Sequence, residues 1–416
     1  MTDTPSVDSL LAALEAAVRD QDRARAIELE RVIAQRLEAD AADREAQERR
    51  LRALMEQLEA PPPLVLEPFS ELKTLNPFSL KRGAVPVAEQ GVDYPVWFAT
   101  NRKPEGQNFG GERSESVTHG RVLVHVTKAH RFGETGSSWW TRLWRGDDRL
   151  RVKEIKAEAL DVFYDGLRQA LEEAREDGAP QALVFLHGYN VSFADAAIRA
   201  AQIGCDLKVP GPVAFFSWPS RASASAYPAD EASIEASERH IADFLVDFAA
   251  RCRLVDAAPR LHLIAHSMGN RGLLRALQRI ASDAQTRGKV KFDQIILAAP
   301  DVDRDLFLDL AALYRQHAER VTLYASGADL PVHLSSRLHD APRAGYFKPY
   351  TVAEGVDTIA VPDFDVDLLG HSYFAQAEAL LHDIYDLLRL ADPHPKHRQR
   401  IVAATEDGVS FWALQR

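Results

Sequence analysis

From Tyr94 onward, short apolar runs alternate with amphipathic stretches of helical period, and that alternation leaves few folds open. The strand-like runs are Val96–Thr100, Arg121–Val126, Ala182–Leu186, Val213–Ser217, Leu261–Ala265, Gln294–Ala298, Val321–Ala325 and Thr358–Val361, with an Asn- and Gly-rich excursion between the first two. Helical periodicity covers Ala157–Arg175, Phe193–Asp206, Asp230–Arg251, Met268–Ser282, Arg304–His317 and Tyr373–Leu390. Helices interleaved with buried strands predict an α/β architecture, a mostly parallel central sheet with helices on both faces. The tail, Arg400 to Gln415, reads as a hairpin turned at Glu406-Asp407-Gly408.

The first quarter of the chain has a different character. Residues 1–60 read as an N-terminal helical hairpin: Ser6 or Asp8 can cap a first helix carrying Leu10, Leu11, Leu14 and Val18, and a longer helix follows from about Asp22. Its apolar stripe thins between Glu38 and Arg50, so the hairpin needs a partner surface, either the rest of the chain or a second copy. Pro61-Pro62-Pro63 ends it, and the Pro-rich stretch 61–93 reads as a linker to a domain at 94–416.

Composition narrows the function classes. A net charge of −11 argues against nucleic-acid binding. The two cysteines, Cys205 and Cys252, fall in helical patterns without metal-ligand spacing and read as free thiols. No apolar stretch reaches the length of a membrane span, and Met1-Thr2-Asp3-Thr4-Pro5 opens no secretory signal, so a cytoplasmic location is expected.

One junction concentrates the chemistry. In Leu261-His262-Leu263-Ile264-Ala265-His266-Ser267-Met268-Gly269-Asn270 a buried strand breaks into a helix at a serine flanked, two residues either way, by small residues. That is the pattern of a nucleophile elbow, with Ala265 in place of the first glycine. The ordinary alternative is a serine N-cap. The strand Leu183–Leu186 runs into His187-Gly188-Tyr189-Asn190, a turn suited to an oxyanion donor, which makes the backbone N–H groups of Tyr189 and Met268 the candidate pair.

A serine hydroxyl needs a base. His371, in the loop Leu369-Gly370-His371-Ser372 that opens the last long helix, has the late position expected of one; His382 falls inside a helix, and His394 and His397 lie in a Pro-rich turn that fits a metal site poorly. Two carboxylates are candidates for orienting it, Asp329 after Val321–Ala325 and Asp301 after Gln294–Ala298. The tighter loop favours Asp329, leaving Asp301 and Asp303 as caps for the following helix. Trp218, Tyr227 and Asp230 either line a pocket or merely pack their loop. Trp139, Trp140 and Trp144 fall in a Gly/Ser/Arg-rich excursion that suits burial or a lid.

Phe98-Ala99-Thr100-Asn101-Arg102, Gly120-Arg121-Val122, His187-Gly188-Tyr189-Asn190, Phe216-Ser217-Trp218-Pro219-Ser220, Ala265 to Asn270, Ala298-Ala299-Pro300-Asp301 and His371-Ser372-Tyr373-Phe374 together resemble the α/β-hydrolase superfamily, and within it a bacterial family of esterase-like proteins of unknown function. The resemblance implies an α/β-hydrolase fold and a Ser-Asp-His hydrolase with Ser267, His371 and Asp329 carried over. It implies no substrate, and Ala222 to Ala226 depart from the family's glycine- and leucine-containing stretch. The expected function is a serine hydrolase of small carboxylic esters needing no metal or cofactor. Thioesterase or amidase activity through the same triad is an alternative, as is a non-catalytic interaction protein that assembles through the N-terminal helices.

Overall fold

The computed structural model describes residues 7–19, 29, 33, 92–126, 150–176, 179–223, 226–253, 258–326, 341–346, 348–361 and 374–415. The chain divides into two compact units, Met1–Lys73 and Thr74–Arg416. In the first, α1 (Val7–Arg19) buries Leu10, Leu11 and Leu14, the stripe read from the sequence. Apart from Leu29 and Ile33, the rest of the expected hairpin lies outside the described residues, as do most of the linker and the three tryptophans of the excursion.

The second unit is built on one sheet. Its strands are β1 (Val92–Glu105), β2 (Asn108–Val126), β3 (Leu150–Glu158), β4 (Gln181–Leu186), β5 (Val213–Ser217), β6 (Arg260–His266), β7 (Phe292–Ala298), β8 (Ala318–Ser326), β9 (Asp357–Val361), β10 (Ile401–Glu406) and β11 (Val409–Leu414). They lie in the order β10-β11-β9-β8-β7-β6-β4-β5-β1-β2-β3. Pairing is parallel from β1 through β5, β4, β6, β7, β8 and β9 to β11, and antiparallel only at β1–β2, β2–β3 and β10–β11.

Helices cover both faces, as strands buried on both sides require. One face packs under α2 (Leu160–Glu176), α5 (Glu238–Cys252), α6 (Gly269–Ser282) and α7 (Arg304–His317), through side chains such as Phe163, Phe248, Leu273 and Phe307. The other packs under α3 (Phe193–Asp206) and α8 (Phe374–Arg389), through Phe193, Ala197, Leu387 and Leu388. Helix α3 starts where Ser192 and Asp195 form a reciprocal capping box, a device worth about 1 kcal/mol.

Three elements differ from the sequence reading. The excursion after Thr100 is mostly strand, because β1 and β2 continue into a hairpin that turns at Gly106 and Gln107. Strand β3 precedes the first core helix, its short apolar positions diluted by the charges of an edge strand. The helix expected over Asp230–Arg251 is two, α4 (Tyr227–Ala236) and α5, separated at Ser237. The Ser237 hydroxyl there accepts from the Asn101 side-chain amide at 2.9 Å and donates to the Ser233 carbonyl at 2.7 Å.

Both cysteines are free, and burial pushes each thiol up to about 12. Among the described residues no helix is long and apolar enough to cross a membrane.

Candidate active site

Ser267 stands between the end of β6 and the start of α6, with φ of +49° and only 3% of its surface exposed. For a residue with a Cβ the left-handed region costs about 1–2 kcal/mol, so the surroundings must hold it there. The Ser267 N–H donates to the Ala298 carbonyl at 2.9 Å. Its carbonyl accepts from the Asn270 N–H at 3.1 Å, the Asn270 side-chain amide at 3.0 Å and the Asp301 N–H at 3.2 Å. Asn270 also donates to the Ala265 carbonyl at 3.1 Å. The elbow is thus tied to the end of β7 and across its own turn.

The small flanking residues have a visible cause. A Cβ on Gly269 would come within 2.6 Å of the His187 carbonyl oxygen and 2.8 Å of that of Leu186. Ala265, two residues before the serine, is fully buried and fits without a glycine.

β4 and β6 are neighbours, with β5 beyond β4 on one side and β7 beyond β6 on the other. The chain changes direction across the sheet at this point, where open α/β sheets form a crevice beyond the strands' carboxyl ends. The loops after these two strands carry His187-Gly188-Tyr189 and Ser267, and they touch: a Cβ on Gly188 would lie 3.0 Å from the Ser267 Cβ.

His187 is buried and its ring lies flat on Trp218, with centroids 5.0 Å apart. Its Nδ1 is 2.8 Å from the Gly188 carbonyl, which can only accept, so Nδ1 carries the proton. Nε2 then accepts from the Ser217 hydroxyl at 3.1 Å, and that oxygen accepts from Arg102 Nε at 2.8 Å. Burial, reinforced by the Arg102 charge, holds the imidazole well below its ordinary pKa, so it stays neutral. The bond to the Gly188 carbonyl fixes the peptide unit whose other end is the Tyr189 N–H.

Arg102 is itself buried, and its burial pulls its pKa down to about 9. It donates to the Ser220 carbonyl at 2.8 Å, the Val191 carbonyl at 2.7 Å and the Gly110 carbonyl at 3.1 Å. Trp218 is fully buried and donates its indole N–H to the His187 carbonyl at 2.9 Å, so it braces the loop.

Beside the elbow lies a second charged cluster. Asp301, 2% exposed, accepts from the Tyr227 hydroxyl at 2.6 Å, with Arg343 Nε 3.5 Å and Arg271 Nη2 3.8 Å from its other oxygen. Arg271 also donates to the Asp301 carbonyl at 2.8 Å and pairs with Glu231. The Tyr227 ring meets Tyr189 edge-on at 5.3 Å.

Ser267, Met268 and Tyr189 are therefore brought together, whereas Asp329 and His371 lie outside the described residues. Asp303 caps α7, accepting from the N–H groups of Asp305 and Leu306 at 3.0 Å each, as expected; Asp301 does not share that role. His394 and His397 sit in an exposed turn, and no group of residues suited to a metal ion occurs among those described. The buried charges Arg102, Asp230 and Arg343 and the largely buried Arg271 escape a reading by periodicity, because an isolated charged residue carries no sign of burial; Arg102 was marked by its motif and Asp230 by its loop.

No curated protein matches the chain. Among solved structures, a dienelactone hydrolase from Anabaena variabilis is similar at 12% identity over 72% of this chain and 95% of its own, with a TM-score of 0.31, too loose a likeness to carry weight. The family model described as an alpha/beta hydrolase of unknown function (DUF900) matches residues 165–389, more than half of the chain and the span holding both loops of the crevice. The chain belongs to that family of α/β hydrolases.

Proposed function

We propose that the protein is a serine hydrolase of carboxylic esters, with Ser267 as nucleophile, His371 as base, Asp329 as the acid that orients it, and the N–H groups of Tyr189 and Met268 as oxyanion donors. The observation that carries the reading is the left-handed backbone of Ser267, a non-glycine residue at a strand-to-helix junction against the Gly188 turn. A serine that merely capped α6 would have no need of that conformation, and no side-chain cap bond is made at this helix start.

In this reaction His371 takes the Ser267 proton as the hydroxyl oxygen attacks the ester carbonyl carbon. The negative charge that develops on the carbonyl oxygen is met by the two amides. The imidazolium returns its proton to the departing alkoxide, and the same imidazole then activates water to release the acid. The route needs no metal or organic cofactor. The assignment of Asp329 over Asp301 is supported by the company of Asp301, whose carboxylate is engaged by Tyr227, Arg271 and Arg343. Thioester and amide substrates would use the same groups.

Labelling with a fluorophosphonate probe, followed by peptide mapping, tests the nucleophile. Adduct at Ser267 is expected, and Ser267→Ala should abolish both labelling and turnover of nitrophenyl esters while leaving the thermal midpoint close to wild type. Turnover above about a tenth of wild type would overturn the assignment, because loss of such a nucleophile removes several powers of ten. A panel of oxygen esters, thioesters and amides of matched acyl length decides the leaving group.

A further inference from the structure

We infer that Asp230 is the positioning residue of the oxyanion loop, fixing through Asn190 and Ser220 the place of the Tyr189 amide beside Ser267, with Arg102 as its brace. The inference rests on the proposed role of that amide. Asp230 lies in the first turn of α4 and is fully buried. Its carboxylate makes no cap for its own helix. Its oxygens accept instead from the Asn190 N–H at 3.0 Å, the Ser220 hydroxyl at 2.5 Å and the Arg221 N–H at 2.7 Å. The Ser220 oxygen in turn accepts from the Val191 N–H at 3.0 Å.

One carboxylate therefore holds the two amides that follow Tyr189, the first directly and the second through Ser220. Arg102 holds the same segment from its carbonyl side, at Val191, and holds Ser220 as well. On the other side of Tyr189, His187 fixes the Gly188 carbonyl. The peptide units before and after Tyr189 are both clamped, and Asn190 is kept at φ of +55°. Burying a carboxylate costs several kcal/mol unless its partners compensate. A loop that needed only to be packed could use neutral groups here. A loop that must present an N–H at a set point gains from the charge, because misplacement by about 1 Å costs on the order of 100-fold in rate.

The near-isosteric Asp230→Asn removes the charge and puts an NH2 where one donor was accepted. Ser220→Ala removes the link to Val191. Two measurements on the full chain test the inference: steady-state kinetics with a short-chain nitrophenyl ester, and hydrogen exchange of the peptide spanning 187–191. Asp230→Asn should lower kcat by about 100-fold with KM within threefold, the size of effect seen when one oxyanion donor is lost. Ser220→Ala should lower kcat by about tenfold. Exchange over 187–191 should quicken at least tenfold in both while β4 stays protected. Unchanged exchange, or unchanged kcat with only a lower thermal midpoint, would overturn the inference. If Asp230→Asn fails to fold, Ser220→Ala decides by the same readouts. If Ser267→Ala keeps its activity, the serine assignment has failed, and exchange still decides whether Asp230 holds the loop.

Discussion

At the scale of single residues, the site is a set of positions where one heavy atom more or less changes the outcome. Gly269→Ala would press a methyl group against two backbone carbonyls that cannot swing away, so it should destabilise by about 1–3 kcal/mol. Gly188→Ala meets the side chains of Ser267 and His266 at 3.0 Å, tight but within reach of small adjustments. It should lower the thermal midpoint less and ester turnover more, and comparing the two variants by melting and kinetics checks the ordering. The two aspartates should separate in the same way. Asp301→Asn unbalances a buried cluster with two arginines and should chiefly lower stability, whereas Asp329→Asn should chiefly lower kcat. Equal losses of kcat at equal melting temperature would sink that distinction. Ser267 and the Gly188 turn were legible because an elbow needs small residues at fixed spacing. Asp230 was read either as lining a pocket or as loop packing and capping, and Arg102 only as part of a motif, because what makes them matter is who faces them across the fold.

At the scale of elements, the sequence located α3, β5 and α7 to the residue, each bounded by a capping or turn residue and filled with one periodicity. It lost β3, whose Arg151, Lys153, Glu154 and Lys156 mask its alternation, and it ran α4 into α5 because the break at Ser237 depends on Asn101 arriving from β1. Strand β6 carries a cost of its own. His262 is fully buried, neither ring nitrogen has a hydrogen-bond partner among the described residues, and burial pulls its pKa from 6.5 to about 3. Below pH 6.5 the unfolded chain takes up a proton that the folded one refuses until about pH 3. Stability should therefore be level above that window and fall as the pH drops through it. His266 on the same strand, also held to about 3, adds in the same sense. Thermal midpoints between pH 8 and 4 should show this fall, and His262→Leu should make it shallower. An unchanged slope in the variant would remove His262 from the account.

At the scale of the whole molecule, every strand described lies in the unit Thr74–Arg416, as does every residue given a chemical role. Removing residues 1–60 should leave an ester hydrolase with its kcat, and change self-association or substrate range instead. Chromatography coupled to light scattering, with turnover of the ester panel, checks both; unchanged mass and unchanged range would leave residues 1–60 without that role. The order of the eleven strands sets how the protein would fail on heating. β6 has five strands on either side of it, so the elbow sits on the part of the sheet farthest from any fraying edge. Local openings begin at sheet edges and loop tips and reach central strands last, with the free energy of complete unfolding. Charged β3 or the short terminal hairpin β10–β11 can come loose without disturbing Ser267. Warmed slowly, such a molecule should keep Ser267 and its turn in place through partial melting, and the amides of β6 should be among the last to lose protection from hydrogen exchange.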